Sequence, residues 1–441
     1  TWKSISNNLP ERGSVYSIEE DHIDSNLIFC GTEFGVFFSP NSGGRWKELS
    51  NGLPTIAVRD IAIQQRENDL VLGTFGRGFY VMDDYSVLRE IENKEVTDKP
   101  KLYDVRDALM WEKAAPLGLP GKAFQGDNFY LADNLDPVAI FAYNYNEKYE
   151  SLKSKRQKKE KELIKDEKDV LYPSYEELYN EINEEKPQLV FTIRNDKNEV
   201  VKKIFRSPSK GLSRFTWNLR YEEKDPISLR SSSFYNPFAG VSEGTLINPG
   251  IYSIEMAVLN EGEMTNLVDP KSFNVIALNN TVMPAEDRNA KVEFQRKVSL
   301  LQGLIGEYSR KFSEVRDKMP FIEKAVKISE QPLEDISKMV WDINKSIKEI
   351  SEKFYGDGVK SRLDIQSYLT PSSRLGAVAY YQKYSTAAPT KTHMDSYEIA
   401  KEEFEPIKVL INDLKLEMNE LEKFLKDSGA PYTPGRPKAI N

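Results

Sequence analysis

Thr1-Trp2-Lys3-Ser4-Ile5-Ser6-Asn7-Asn8-Leu9-Pro10 recurs as Arg45-Trp46-Lys47-Glu48-Leu49-Ser50-Asn51-Gly52-Leu53-Pro54, identical at six of ten positions and with a period of 44 residues from one tryptophan to the other. Around it, strand patterns also repeat. Val15 to Glu19, Leu27 to Gly31 and Gly35 to Ser39 are followed by Val58 to Ile63, Asp69 to Thr74 and Gly78 to Met82, each bounded by Gly, Asp, Asn or Ser. A period of about 40 to 50 residues made of short strands predicts β-propeller blades, because such a unit cannot bury its faces alone and must stack on its neighbours. Residues 1–90 are expected to be terminal blades. Propellers close with about four to eight, so the remaining blades are expected upstream.

The second tryptophan is preceded by Ser39-Pro40-Asn41-Ser42-Gly43-Gly44-Arg45-Trp46. This stretch resembles the Asp-box of bacterial neuraminidase-type repeats, Ser-x-Asp-x-Gly-x-x-Trp, with Asn41 in place of the aspartate. The resemblance implies a structural hairpin staple. In such a box, which here comprises Ser39, Asn41, Gly43 and Trp46, the Asn41 side chain is expected to fold back on the turn backbone, Gly43 to supply a positive φ, and Trp46 to fill the gap between neighbouring sheets.

Composition narrows the chemistry. The net charge is −8, from 61 basic and 69 acidic residues, without a long block of one sign. A nucleic-acid surface needs clustered Lys and Arg, so none is expected. No apolar run reaches the roughly 18 residues of a membrane helix. The single cysteine, Cys30, lies in a strand pattern and is expected to pack as a small hydrophobe. With only His22 and His393, far apart in sequence, a histidine metal site is excluded and a Ser-His-Asp triad would have to rest on one of two poorly placed residues; no cofactor or metal is expected. Hydrolysis in this segment would rest on carboxylates.

After Asp83-Asp84-Tyr85 the strand pattern dissolves, and Pro100, Pro116 and Pro120 mark residues 91–125 as an extended connector. Residues 126–280 read as strands again: Phe129 to Leu131, Val138 to Tyr143, Leu189 to Ile193, Val200 to Phe205, Arg214 to Tyr221, Ile251 to Leu259 and Phe273 to Ala277. In Arg214 to Tyr221, Phe215, Trp217, Leu219 and Tyr221 alternate onto one face. Turns are expected at Asn195-Asp196-Lys197-Asn198 and Pro249-Gly250. About seven short alternating strands predict an immunoglobulin- or fibronectin-like β-sandwich. It is interrupted over 147–186 by a stretch with charges of both signs at helical spacing, read as a solvated helix.

Residues 281–428 carry three apolar stripes stepping by three and four. They are Val298, Leu301, Ile305, Tyr308, Phe312, Val315 and Met319; Ile336, Val340, Ile343, Ile347, Ile350 and Phe354; and Ile407, Ile411, Leu414, Met418, Leu421 and Leu425. One stripe per helix predicts an antiparallel three-helix bundle. Pro284 and Pro332 stand where helices begin, Pro406 is expected to kink or restart the third, and 429–441 is a C-terminal tail.

Several segments together resemble one family. Gly73-Thr74-Phe75-Gly76-Arg77-Gly78-Phe79-Tyr80-Val81-Met82-Asp83-Asp84 is similar to the last-blade signature of large exported proteins with sortilin-like, neuraminidase-type repeats, abundant in Bacteroidota, although Phe75 stands where the family often has His. Lys210 to Tyr221 and Asn248 to Tyr252 resemble that family's sandwich, and Ser385 to Thr390 and Gly429 to Arg436 its helical tail. The resemblance implies an exported protein of the periplasm, outer-membrane surface or medium. Such proteins are often labelled glycosyl hydrolases, yet a shared repeat carries fold rather than chemistry.

A glycosidase needs two carboxylates flanking one bond. The acids of the repeats are Asp21, Asp24, Asp60, Asp69, Asp83 and Asp84, and the adjacent Asp83 and Asp84 would point to opposite sides of a strand. The expected role is therefore non-catalytic binding or scaffolding, with a peptide, protein or glycan as ligand of the complete propeller. A hydrolase whose acids lie in upstream blades is the alternative. Binding candidates are Arg77 with Phe75 beside it, and the aromatic pair Phe234 and Tyr235 in a long loop. A competing role for Arg77 is a salt bridge to Asp83 or Asp84.

Overall fold

The computed structural model describes residues 2–91, 99–111, 136–147, 149–222, 244–278, 283–329, 334–383 and 385–435. It is a mixed α and β structure with antiparallel sheets, and it divides into two compact units. The first takes in Thr1–Met110, Asp133–Asn218 and Pro249–Ile276; the second takes in Trp111–Ala132, Leu219–Asn248 and Ala277–Asn441.

In the first unit the repeated strand patterns form two sheets. Strands β1 (Val15–Glu20), β2 (Ile28–Thr32), β3 (Gly35–Ser39) and β4 (Lys47–Glu48) pair in that order. Strands β5 (Val58–Gln64), β6 (Asp69–Thr74) and β7 (Phe79–Met82) form the second sheet, also in sequence order. The period-2 pattern decides what each face buries. Phe29, Val36 and Phe38 share a core with Val58, Ile61, Leu70 and Leu72, while Ile28, Cys30 and Phe37 turn to the opposite side against Trp46 and Leu9. Burial also pushes the Cys30 thiol up to about 11, so it is protonated and inert at neutral pH.

The turn after β3 is held as its residue types require. Asn41 Oδ1 accepts from the Ser39 hydroxyl at 2.8 Å and from the Arg45 N–H at 2.8 Å, and the Ser39 hydroxyl oxygen accepts from the Gly43 N–H at 2.9 Å. Gly43 has φ 85°, and a Cβ there would lie 2.6 Å from Ile5 Cβ, so only glycine fits. Trp46 is 3% exposed, whereas its counterpart in the other copy, Trp2, is fully exposed.

The rest of the first unit is a pair of facing sheets. One, in the order β13-β10-β8, joins Gly211–Trp217, Ala139–Tyr145 and Lys101–Leu102. The other, β12-β11-β14-β15-β9, joins Val200–Arg206, Gln188–Asn195, Gly250–Asn260, Glu263–Ala277 and Ala108–Met110. Aromatic rings fill the space between them: Phe191 meets Phe215 at 4.5 Å and Tyr143 at 4.8 Å, and Phe141 meets Phe273 at 5.4 Å.

The structure departs from the sequence expectations at several elements. β8 and β9 lie in the stretch expected to be an extended connector, and they were missed because two- and three-residue strands carry no period. The strand expected over Arg214 to Tyr221 runs over Gly211–Trp217 instead, because Leu219 adopts φ 56° and ends the alternation. Gly250 opens β14, and the hairpin turn falls at Glu261 and Gly262, both with positive φ. The charged insertion is two helices rather than one, α1 (Leu152–Lys165) and α2 (Tyr175–Asn183), neither of which buries a residue. Arg156 Nε bonds Glu181 at 2.5 Å between them, and Ser174 with Glu177 forms a capping box at the start of α2. Phe129 to Leu131, Pro116, Pro120 and Pro332 lie outside the described residues.

The second unit is helical: α3 (Arg288–Lys327), α4 (Glu334–Tyr355), α5 (Gly358–Arg362), α6 (Pro371–Lys383) and α7 (Lys391–Asp427). Every residue of the three apolar stripes belongs to or packs on one core. Asn344 bonds Glu323 and Tyr355 bonds Ser309, so α4 runs antiparallel to α3. Phe294 meets Tyr397, and Lys318 pairs with Glu422, so α7 runs parallel to α3. Helix α6 adds Leu375 and Val378 to this core, too few apolar residues to have formed a legible stripe. Pro406 does not restart α7, which runs through it, as α3 runs through Pro320. The buried neighbours Phe404 and Ile407, with Met319 and Ile322 in α3, hold those turns despite the missing N–H. Among the described residues no helix is long and apolar enough to cross a membrane.

Candidate functional site

Of the acids singled out in the repeats, all but Asp60, which lies within β5, collect at or just beyond the ends of β1, β6 and β7. Asp21 follows β1, and its carboxylate accepts from the Asp24 N–H at 2.8 Å and from Arg89 through Nε at 2.6 Å and Nη2 at 2.8 Å. The Tyr85 hydroxyl donates to the same carboxylate, and Arg89 also reaches Asn68 Oδ1 at 2.6 Å. Burial opposes the charge on Asp21, but Arg89, Tyr85 and the Asp24 N–H outweigh it and hold the carboxyl far below the usual range. Burial and the neighbouring Asp21 push the Tyr85 hydroxyl well above its ordinary value. Asp21 is thus a fixed, ionised tie between the two sheets, with His22 Nδ1 3.4 Å from it.

The second group stands one residue along the chain. Asp69 Oδ1 accepts from the Asp84 N–H at 2.9 Å, and Asp84, with φ 47°, caps the short 3-10 turn Tyr85–Glu90. Arg106 lies 3.8 Å from both Asp69 and Asp84 and donates to the Glu67 carbonyl at 2.8 Å. Arg214 of β13 donates to the Asp83 carbonyl at 2.9 Å. Burial and the nearby Asp69 raise the Asp83 carboxyl, and burial lowers Arg214. The salt bridge suggested between Arg77 and Asp83 or Asp84 is not formed: Arg106 pairs with Asp84, Arg214 binds the Asp83 backbone, and Arg77 is exposed. Asp24 serves its own turn, accepting from the Asn26 N–H at 3.0 Å.

The β6–β7 turn presents the aromatic and cationic candidates. Thr74 closes it by donating its N–H and hydroxyl to the Gly78 carbonyl at 3.0 and 2.7 Å, and Gly76 and Gly78 take positive φ. Phe75 stands 68% exposed at the tip, and Arg77 follows it. Arg59 lies over the Tyr16 ring at 3.9 Å and 5.2 Å from the Phe75 ring. Sequence reasoning had singled out neither Tyr16 nor Arg59. Phe234 and Tyr235 lie outside the described residues.

One further cavity was invisible in the sequence. A cleft of about 970 Å³ opens where the α1–α2 hairpin folds beside the β14–β15 turn, lined among others by Tyr145, Tyr149, Asn180, Asn183, Glu185 and Glu261. It is made by the insertion folding back, which no local pattern announces. Among the described residues no group of three or more His, Cys, Asp or Glu is placed to hold a metal ion.

Against known proteins, no family model and no curated protein matches this chain. Among solved structures, it is similar to the extracellular domain of a putative hybrid two-component system from B. thetaiotaomicron, at 12% identity and a TM-score of 0.14 over 61% of this chain. The match spans 26% of that protein's length.

Proposed function

We propose that this chain is a non-catalytic binding and scaffold segment of an exported cell-envelope protein, recognising a peptide, protein or glycan. In this reading β1–β7 are terminal propeller blades, the facing sheets are an immunoglobulin-like sandwich, and α3, α4 and α7 form the core of a helical bundle. One contrast supports it. Three of the carboxylates singled out in the repeats, Asp21, Asp69 and Asp84, are committed to arginines or turn N–H groups, while Phe75 and Arg77 stand exposed on a turn closed by the Thr74 hydroxyl. Exposed aromatic and arginine side chains are what a recognition surface uses.

The alternative, a repeat-bearing glycoside hydrolase, draws on Asp83, whose raised carboxyl beside Asp69 has the character of a general acid. The test is a glycan and peptide array probed with the wild-type chain and with Phe75→Ala and Arg77→Ala. The binding reading expects at least one retained ligand whose signal falls in both variants. An array on which the wild type retains nothing contradicts it.

A further inference from the structure

The two repeat sheets share an irregularity that the sequence conceals. Pairing of β1 with β2 shifts register between Val15 and Ser17, and pairing of β5 with β6 shifts between Val58 and Asp60. The residue left over in each case is Tyr16 and Arg59, at the same place in the two repeats: each precedes the strand residue opposite a glycine, Gly31 or Gly73. An extra residue in one strand re-aims its side chain away from the sheet's alternation. Here the two re-aimed side chains meet, with the Arg59 guanidinium over the Tyr16 ring and near Phe75 at the tip of the β6–β7 turn. The Phe75 N–H bonds the Ala57 carbonyl at 2.9 Å, which fixes that turn against the start of β5.

From this geometry we infer a carboxylate-binding site whose principal ligand group is Arg59, with Arg77 as a second cation. A guanidinium stacked on an aromatic ring spends its face on the ring and keeps its N–H edge for a planar, bidentate acceptor. Arg59 is exposed, and among the described residues no carboxylate of the chain pairs with it; the same holds for Arg77. The stacking also holds the fork in place, reducing the ordering cost when a ligand docks. In a chain of net charge −8, an unpaired Arg59 between the half-buried Tyr16 ring and the exposed Phe75 ring, with Arg77 in the same turn as Phe75, favours an anion with an apolar body. A uronate-type sugar acid and an acidic peptide both supply a planar carboxylate on such a body. The inference rests on the binding function proposed above and narrows its ligand.

The test uses the whole chain and two probes, a glucuronate-terminated oligosaccharide and a tetraglutamate peptide, in titration calorimetry at low and high salt. Saturable binding of one probe identifies its source, and affinity falls as salt rises. Arg59→Ala weakens it about tenfold or more, and Arg59→Lys, which keeps charge and fold but lacks the planar fork, weakens it nearly as much. Tyr16→Leu weakens it less, by removing only the stacked surface. Binding that Arg59→Lys leaves intact overturns the site, as does failure of both probes. If a neutral glycan or peptide then binds the wild type and Arg59→Ala equally, the binding function stands and only the carboxylate site fails; if nothing binds, both fail.

Discussion

The Trp46 indole N–H donates to the carbonyl of Ile5, 41 residues earlier, at 2.7 Å, and the Trp46 N–H and carbonyl both bond the Asn8 side chain. The tail of one repeat copy thus closes over the tryptophan of the next, a relationship the sequence recurrence alone does not reveal. Trp46→Phe should cost about 1 kcal/mol through the lost hydrogen bond, and Trp46→Ala about 3–5 kcal/mol through the cavity. Chemical denaturation checks both; equal costs would mean that packing on Cys30 and Phe37 contributes nothing.

The Asp21–Arg89 tie predicts an acid-labile component of stability. The folded carboxyl is depressed below its unfolded value, so its contribution is fully present above the unfolded pKa of about 4 and is lost as pH falls below it toward the folded value. Asp21→Asn should lower the melting temperature at pH 7 and flatten its decline below about pH 4. A wild-type decline in acid as steep as the variant's would rule out this tie as the cause.

Asp83 has the opposite sign. Its folded carboxyl is raised, so its ionisation opposes folding at neutral pH, and that penalty is relieved as pH falls through the raised value. Asp83→Asn should raise the melting temperature at pH 7, and the gain should vanish in acid. A loss of stability at pH 7 would mean that the charge serves Arg106 or Arg214 more than burial harms it.

Arg77 is exposed and does not form the salt bridge to Asp83 or Asp84, so Arg77→Ala should leave stability within about 0.5 kcal/mol, the usual range for a free surface residue. Thermal melts of the two proteins should overlay. A clear drop would assign Arg77 a structural partner.

The α1–α2 hairpin buries no residue, although its neighbours β10 and β11 lie in the core. Replacing residues 148–186 by a short Gly-Ser linker should leave the circular dichroism of the sheets and the cooperativity of unfolding unchanged, since loop length costs little. Loss of cooperative unfolding would show that the sheets depend on it.

What the sequence revealed follows from how local each signal is. The strands of the repeats and the stripes from Val298 to Met319 and from Ile407 to Leu425 were legible because burial imposes a period within one element. Arg89 pairs with Asp21 across 68 residues, and Arg214 reaches Asp83 across 131, distances over which no window carries a signal. Tyr16 and Arg59 were hidden differently. A register shift leaves composition untouched, so both read as ordinary strand residues. Pro406 misled because helix propensity is local, while the burial of Phe404 and Ile407 that overrides it is not.

In the proposed function this chain holds its ligand without cleaving it. The most direct measurement is mass spectrometry of each array-positive glycan or peptide recovered after prolonged incubation with the wild-type chain. A non-catalytic binding segment returns each ligand at unchanged mass in proportion to binding; time-dependent fragments, abolished by Asp83→Asn or Asp69→Asn, would show that it is a hydrolase.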